Sequence, residues 1–569
     1  MNNPRSFLLI ALLLVSYLVW NQWQQDYAYP KVASTPATAA PAVPADAPAA
    51  STTPVPGETP QASATPTAAT PAAPSAATAP QGDLVEISND VLKLTIDTRG
   101  GSVVRADLLT YPQQPKDLTH PVRLLDNTTE HYFVAQSGLV SAQGAAPDHQ
   151  ALFTAEKNSY TLDAGQTKLE APLTWQDAAT GLVVRKVFTL ERGSYVLGTR
   201  QEIQNNGTAA WSGNAYRQLQ RTPIVAKTGG LSFTNPESYS FSGAAWYSPE
   251  GKFKKIAFDK YTKEPLTNHA VTGGWVAMLQ HYFFAAWLPP AAEAEQFSTT
   301  QLVNGGQTRY LIRTMGPPLT VAPGANATSE ARLYVGPKLQ STLNDVAPGL
   351  ALTIDYGILT VISEPLHWVL AKLHALTNNW GFAIILLVLL IKLAFFKLSE
   401  AQYRSMAKMR KLQPRVQALK DRYGDDRQKM NQAMMELYQK EKINPLGSCL
   451  PMLVQIPVFF ALYWVLIESV ELRHAPFIGW IQNLTAPDPY FVLPIINAAT
   501  MIATQYLTPT TGMDPVQAKM MKIMPVVFSV MFAFFPAGLV LYWTVNGLSS
   551  LIQQYVITKR IDAMDTKAA

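Results

Sequence analysis

The sequence is short of several things that would direct it toward familiar chemistry. It has one cysteine, Cys449, so no disulfide can form within the chain. Charged residues make up 15%, against about a quarter in soluble domains, so its apolar segments are not matched by a charged surface. There is no G-x-x-x-x-G-K-[ST] and no H-E-x-x-H, which speaks against nucleotide-driven work by this chain alone and against a zinc site. No cofactor is expected. His120, His131, His149, His269 and His281 are scattered, with nothing that places two together, and read as solvated or core residues. No internal repeat is evident, which weighs against the alternative reading, a polytopic transporter with a midplane substrate site.

What is present is sharply segmented. At 569 residues the chain is too long for one compact domain. An apolar run from Phe7 to Trp20 follows Arg5, and the bulky polar residues after it suit an uncleaved anchor, residues 1–28, better than a signal peptide. Residues 29–82 collapse to Ala, Pro, Thr and Ser, too poor in apolar surface to offset the entropy of folding, and are expected to be a tether. From 83 to 343 the period is two, as in Leu92-Leu94-Ile96 against Val91-Lys93-Thr95, with turn signals such as Asn205-Asn206-Gly207. An all-β sandwich is expected there.

Residues 355–379 carry a helical stripe at Leu366, Val369, Leu370, Leu373 and Leu376, with His367, Lys372 and His374 opposite, as in a helix lying on a membrane surface. Long apolar runs follow at Trp380 to Phe396, Leu450 to Ile467 and Tyr490 to Leu507. Ile523 to Ile557 is too long for one crossing of a core of roughly 30 Å, and Phe535-Pro536-Ala537-Gly538 offers a break. Basic residues test the division, because they are retained in cytoplasmic loops. The 397–449 connection carries twelve Lys and Arg, 468–489 only Arg473, and the 558–569 tail is basic again. The expectation is a polytopic α-helical membrane protein with six transmembrane helices. Five of them lie in a core at 380–557, the β-sandwich is periplasmic, and both termini are cytoplasmic. Residues 398–443, split at Gly424-Asp425, are expected to form a cytoplasmic helical hairpin.

Polar residues inside the spans are costly against lipid and mark protein contacts or a wet cavity. In the last span Tyr542, Asn546, Ser549, Ser550 and Gln553 share one helical face. Asn497 and Thr500 share another, open to reading as helix packing or as groove lining. Gln455 lies in a span interrupted by Pro451 and Pro457, and Lys392 is the one cation in an apolar run. A snorkelling lysine and a buried charge at the floor of a hydrophilic cavity are both open. The hairpin's Arg404, Lys408, Arg410 and Lys411 suit anionic lipid or ribosomal RNA, beside ordinary positive-inside bias.

Several motifs, in order, carry a resemblance. They are the segment Ala401 to Arg410, Asn444-Pro445-Leu446-Gly447 with Pro451, Gln455 and Pro457 after it, Val470-Glu471-Leu472-Arg473, and the run Phe535 to Trp543. Residues 355–557 resemble the YidC/Oxa/Alb family of membrane insertases, and the overall layout is similar to its Gram-negative branch. The resemblance implies a groove, open to cytoplasm and lipid, that moves hydrophobic segments into the inner membrane without ATP. It puts the groove cation on Lys392, where the family more often has arginine. It puts an apolar slide on Leu453, Ile456, Phe459, Tyr542 and Trp543. It also implies nascent membrane proteins as clients, the ribosome and the Sec translocon as partners, the lipid bilayer as medium, and no DNA. The β-domain is expected to be similar to sugar mutarotases in fold, which assigns no enzymatic role.

Overall fold

The computed structural model describes residues 82–142, 144–224, 240–304, 306–424, 426–441, 450–507 and 515–566. The expected anchor, almost all of the tether, Cys449 and the Asn444 to Gly447 run lie outside the described residues, as does the Leu453 side chain.

Two sheets, of ten and nine strands among the described residues, run from Leu84–Ser88 to Asn326–Pro337 and pack face to face. Nearly all pairings are antiparallel, with Leu84–Ser88 and Ser159–Thr161 parallel. The alternation works where one face is wet: Leu92, Leu94 and Ile96 are fully buried and Lys93 is half-exposed. It fails on the central strands. Phe133–Val140 and Trp211–Arg221 are buried along almost their whole length, because both faces of the ten-stranded sheet are covered there. Several buried polar side chains of the domain are paired inside it. Arg217 Nη1 donates to Glu295 Oε1 at 2.9 Å, with both side chains buried. Lys186 points between the sheets and donates to the carbonyls of Gly100 and Ser137, each at 2.8 Å. Burial without a carboxylate partner pushes its ammonium down to about 7.

Helices follow. We label them α1 (Thr360–Thr377), α2 (Trp380–Ala394), α3 (Phe396–Lys411), α4 (Gln413–Tyr423), α5 (Arg427–Lys440), α6 (Leu450–Glu468), α7 (Val492–Leu507), α8 (Pro515–Phe532) and α9 (Ala537–Thr566). Two adjacent asparagines separate α1 from α2. Asn378 closes the first at φ 50°, and the Asn379 side chain accepts from the N–H groups of Gly381 and Phe382 to open the second. The break expected near Pro536 lies between Phe532 and Ala537. The freed N–H groups at the start of α9 do not go unpaired, because Ala537 N donates to Ala486 O at 2.7 Å and Gly538 N to Leu484 O at 2.8 Å.

The helical expectations need two corrections. The surface helix is shorter than 355–379 and is rotated: Ser363, His367 and Leu370, at i, i+4 and i+7, face α2 and α6, while Val361, Trp368 and Leu376 are exposed. His367 is not on the wet side, because that face is where α1 packs, and Ser363 Oγ donates to Ala461 O at 3.2 Å. The first hairpin arm is two helices that break at Leu412, which packs with Val416 against Met434 and Leu437. No single described helix is long and apolar enough to cross a membrane by itself; α2 and α3 pass together but are bent by 67° at Phe395.

The β-domain and the helices share a core. Trp275, Phe284 and Tyr334 from the sheets cluster with Leu370, Ile384 and Val465, and Val470, just beyond α6, joins the sandwich core. Arg473 Nη1 donates to Pro112 O at 2.7 Å.

Candidate functional site

The last helix is the organising element. Tyr542, Asn546 and Ser550 recur every four residues on α9 and so lie along one face, which the fold turns toward α2 and α6. Lys392, in the last turn of α2, donates from Nζ to Ser550 Oγ at 2.6 Å. Ser550 Oγ in turn donates to Asn546 O at 2.8 Å, and Gln455 Nε2 on α6 donates to Asn546 Oδ1 at 3.2 Å. A polar line thus runs from Lys392 through Ser550 and Asn546 to Gln455, joining three helices. Lys392 is 8% exposed and, among the described residues, has no carboxylate partner. A charge kept from water with only neutral oxygen near it favours an approaching anion.

Ser549 and Gln553 are half-buried on α9, and Gln553 Oε1 is buried without a hydrogen-bond partner among the described residues. Of the expected slide, Phe459 stacks on Trp543 at 5.6 Å between centroids and lies 6.0 Å from Tyr542, while Trp543 stacks on Phe532 at 3.9 Å. Ile456 is exposed, one turn from this aromatic wall.

Asn497 and Thr500 do not join the polar line. Both are buried on α7 against Gly547, where a Cβ would lie 3.1 Å from Thr500 Oγ1. Thr500 Oγ1 donates to Asn497 O at 2.8 Å, and Asn497 Nδ2 lies 3.8 Å from Met501 Sδ. Their described hydrogen bonds stay within α7 while both side chains lie at the α7–α9 contact, which favours the helix-packing side of the two readings. Arg404, Lys408, Arg410 and Lys411 are exposed on α3, with Arg404 2.9 Å from Glu400.

Two features carried no signal of their role in the sequence. Tyr403 of α3 is half-buried, although it stands in a run that reads as basic and cytoplasmic. At the far end of α6, Glu468 is buried 3.7 Å from His281 Nε2, with Lys338 buried nearby. Burial lifts Glu468 to about 7 and lowers Lys338 to about 8. His281 is driven by burial to about 3, so this contact is between a carboxyl and a neutral ring, and not an ion pair. Glu471 is likewise lifted by burial to about 7. His367, 4.0 Å away and lowered by burial to about 4, is neutral as well.

Two family models match the chain, that of the YidC periplasmic domain over residues 84–369 and that of the 60Kd inner membrane protein over residues 372–565. A membrane protein insertase YidC from Xanthomonas campestris pv. campestris strain 8004 is 49% identical, over 98% of this chain and 97% of its own. Among solved structures, an active YidC insertase with its first transmembrane domain resolved covers 83% of this chain and 94% of its own, at 17% identity and a TM-score of 0.36. A galactose mutarotase related enzyme from Lactobacillus acidophilus covers 44% of this chain and 97% of its own, at 10% identity and a TM-score of 0.30. At those scores neither structure adds to the assignment, which rests on the sequence matches, and neither family model describes a transporter. On the length and identity of those matches, the chain belongs to the YidC family of membrane protein insertases.

Proposed function

We propose that this insertase lowers the barrier to moving a client's polar flank across the membrane by offering Lys392 and the Ser550-Asn546-Gln455 line as a polar path beside lipid. The client's apolar segment meanwhile partitions into the bilayer along Phe459, Tyr542 and Trp543. The observation that carries this reading is a buried lysine held by a serine hydroxyl, with no carboxylate at its side among the described residues. Apolar burial at about 25 cal/mol per Å² supplies the driving force, so no nucleotide or cofactor is needed. The chain is not an enzyme in this reading.

The same reading places six spans in the inner membrane with both termini and the 398–443 hairpin in the cytoplasm, and the 83–343 domain in the periplasm. It takes the ribosome and the Sec translocon as partners, met through the exposed basic residues Arg404, Lys408, Arg410 and Lys411 and through the membrane helices. Support comes from the loop charges and from the exposure of these side chains. Photo-crosslinkers at Tyr542 and Asn546, challenged with stalled ribosome-nascent chains, test it. Crosslinks to the emerging apolar segment are expected. Their absence there, with crosslinks to α7 or to the β-domain instead, would place the client path elsewhere.

A further inference from the structure

One turn beyond Ser550, α9 carries a polar atom that the fold keeps from water and gives nothing to bind. Gln553 is half-buried, its Oε1 is fully buried, and no donor among the described residues reaches it. Among the described residues of α1 to α9 it is the one buried side-chain nitrogen or oxygen in that state. A buried acceptor left unpaired costs free energy, so its retention in a membrane span calls for a reason. Spacing places it. Gln553 follows Asn546 by seven residues and Ser550 by three, so the three share one face of α9, and the Cβ atoms of Ser550 and Gln553 are about 5–6 Å apart. Ile552, Tyr555 and Val556, on the other sides of the helix, are exposed. Ser550 is also where Lys392 is held, at 2.6 Å.

The rest of the polar line has its acceptors in use. Asn546 Oδ1 takes a proton from Gln455, Asn546 O takes one from Ser550, and Ser550 Oγ takes one from Lys392. Donors are more plentiful, since an ammonium has three protons and Lys392 gives one of them to Ser550. A client's flank brings both kinds of group. Every residue except proline offers one backbone N–H and one C=O, and each is costly to leave unpaired away from water. The protons of Lys392 suit the flank's carbonyls and carboxylates, and Gln553 Oε1 suits its N–H groups.

We propose that Gln553 is the acceptor half of a two-part client receptor whose donor half is Lys392, and that it takes the backbone N–H groups of an extended flank as they pass. This rests on the groove reading above and adds to it a residue that sets which uncharged flanks insert. Lys392 reads charge, whereas Gln553 reads whether the flank can donate. Its oxygen is already out of water, so pairing with a client's N–H requires no further desolvation of Gln553. A flank rich in proline, which has no backbone N–H, gains nothing from it.

The test uses the full chain in membrane vesicles and two uncharged clients with the same apolar segment, one with a translocated flank of alanines and one with prolines at alternate positions of that flank. Gln553→Met, similar in length and without an acceptor oxygen, should slow insertion of the alanine-flanked client several-fold and leave the proline-flanked client at the rate of the parent protein. Gln553→Glu keeps an acceptor and should retain insertion of the alanine-flanked client. Equal slowing of both clients by Gln553→Met, or slowing of neither, would overturn the proposal, as would a loss in Gln553→Glu as large as that in Gln553→Met. The melting temperature in detergent separates this role from a structural one. Removing an acceptor that has no partner breaks no hydrogen bond, so Gln553→Met should melt no lower than the parent protein. A lowered melting temperature would show that Gln553 is paired within the protein and overturn the receptor. The groove reading is judged apart, by the difference between Asp-flanked and Asn-flanked clients that Lys392 confers. Survival of that difference in Gln553→Met while the alanine and proline flanks respond alike would overturn the role of Gln553 alone, and its absence from the parent protein would strike the groove reading instead.

Discussion

Lys392 Nζ and Ser550 Oγ stand 2.6 Å apart although 158 residues separate them, and this contact ties the first helix of the insertase core to the last. It gives the lysine a neutral acceptor and no carboxylate among the described residues, so that within them the positive charge is left uncompensated. The first prediction follows from that sign. Lys392→Arg should retain insertion, Lys392→Glu should impair clients with acidic translocated flanks most, and Lys392→Ala should fall between them. Arginine keeps the charge, although its planar fork differs from a point ammonium. Insertion of paired clients that differ only by Asp or Asn in the flank measures the effect, and equal loss across each pair would remove Lys392 from the mechanism.

The polar face of α9 and its contact with α7 should respond differently. Thr500→Ala should cost about 1 kcal/mol of stability in detergent, the worth of one lost hydrogen bond, and leave the dependence on flank charge unaltered. Gly547→Val should cost about 1–3 kcal/mol, because even a Cβ there presses on Thr500. Ser550→Ala should instead alter the flank-charge dependence with little change in melting temperature. A changed flank dependence in Thr500→Ala would return α7 to the client path.

Glu471 makes the junction between the helices and the β-domain sensitive to pH. Its folded-state value is raised, so the folded protein holds a proton that the unfolded chain releases. The stability it contributes is full below about 4.5, the ordinary value, and is lost as pH rises toward about 7. Glu471→Gln, neutral throughout, should flatten the fall in melting temperature between pH 5 and pH 7.5 and be the more stable form at the upper end. A slope that survives the substitution would assign it to Glu468 or to another group.

Lys186 gives the β-domain the opposite slope at higher pH. Its folded-state value is depressed to about 7 from 10.5, so between those values the unfolded chain binds a proton that the folded one does not. Stability should therefore rise as pH increases from about 7 to about 10 and be flat just below that window. Lys186→Met should remove the rise. An unchanged slope in that variant would show that the ammonium remains charged between the sheets.

The topological prediction is direct. A cysteine at Thr510 should be labelled only from the cytoplasm, and one at Ala486, beside the start of α9, only from outside. Labelling of both from one side would overturn the six-span assignment.

Much of this architecture was legible in the chain as written, because hydropathy, period and breakers act locally. The alternation at Leu92, Leu94 and Ile96 marked a strand, Pro536 marked a break, and Tyr542, Asn546 and Ser550 at four-residue spacing had to share a face whatever lay opposite. Spacing determines a face but not its neighbour, and the neighbour was decided only in three dimensions. Asn497 and Thr500 read as well as groove lining as they did as packing, until Gly547 removed the side chain that would have kept α7 away. His367 read as a wet residue because the face opposite an apolar stripe is normally solvated, yet α2 and α6 cover that face. The 67° turn at Phe395 had no signal at all, because the choice between continuing α2 and folding α3 back is made by tertiary contacts on α6 and α9, which no local pattern in the 395–411 segment encodes.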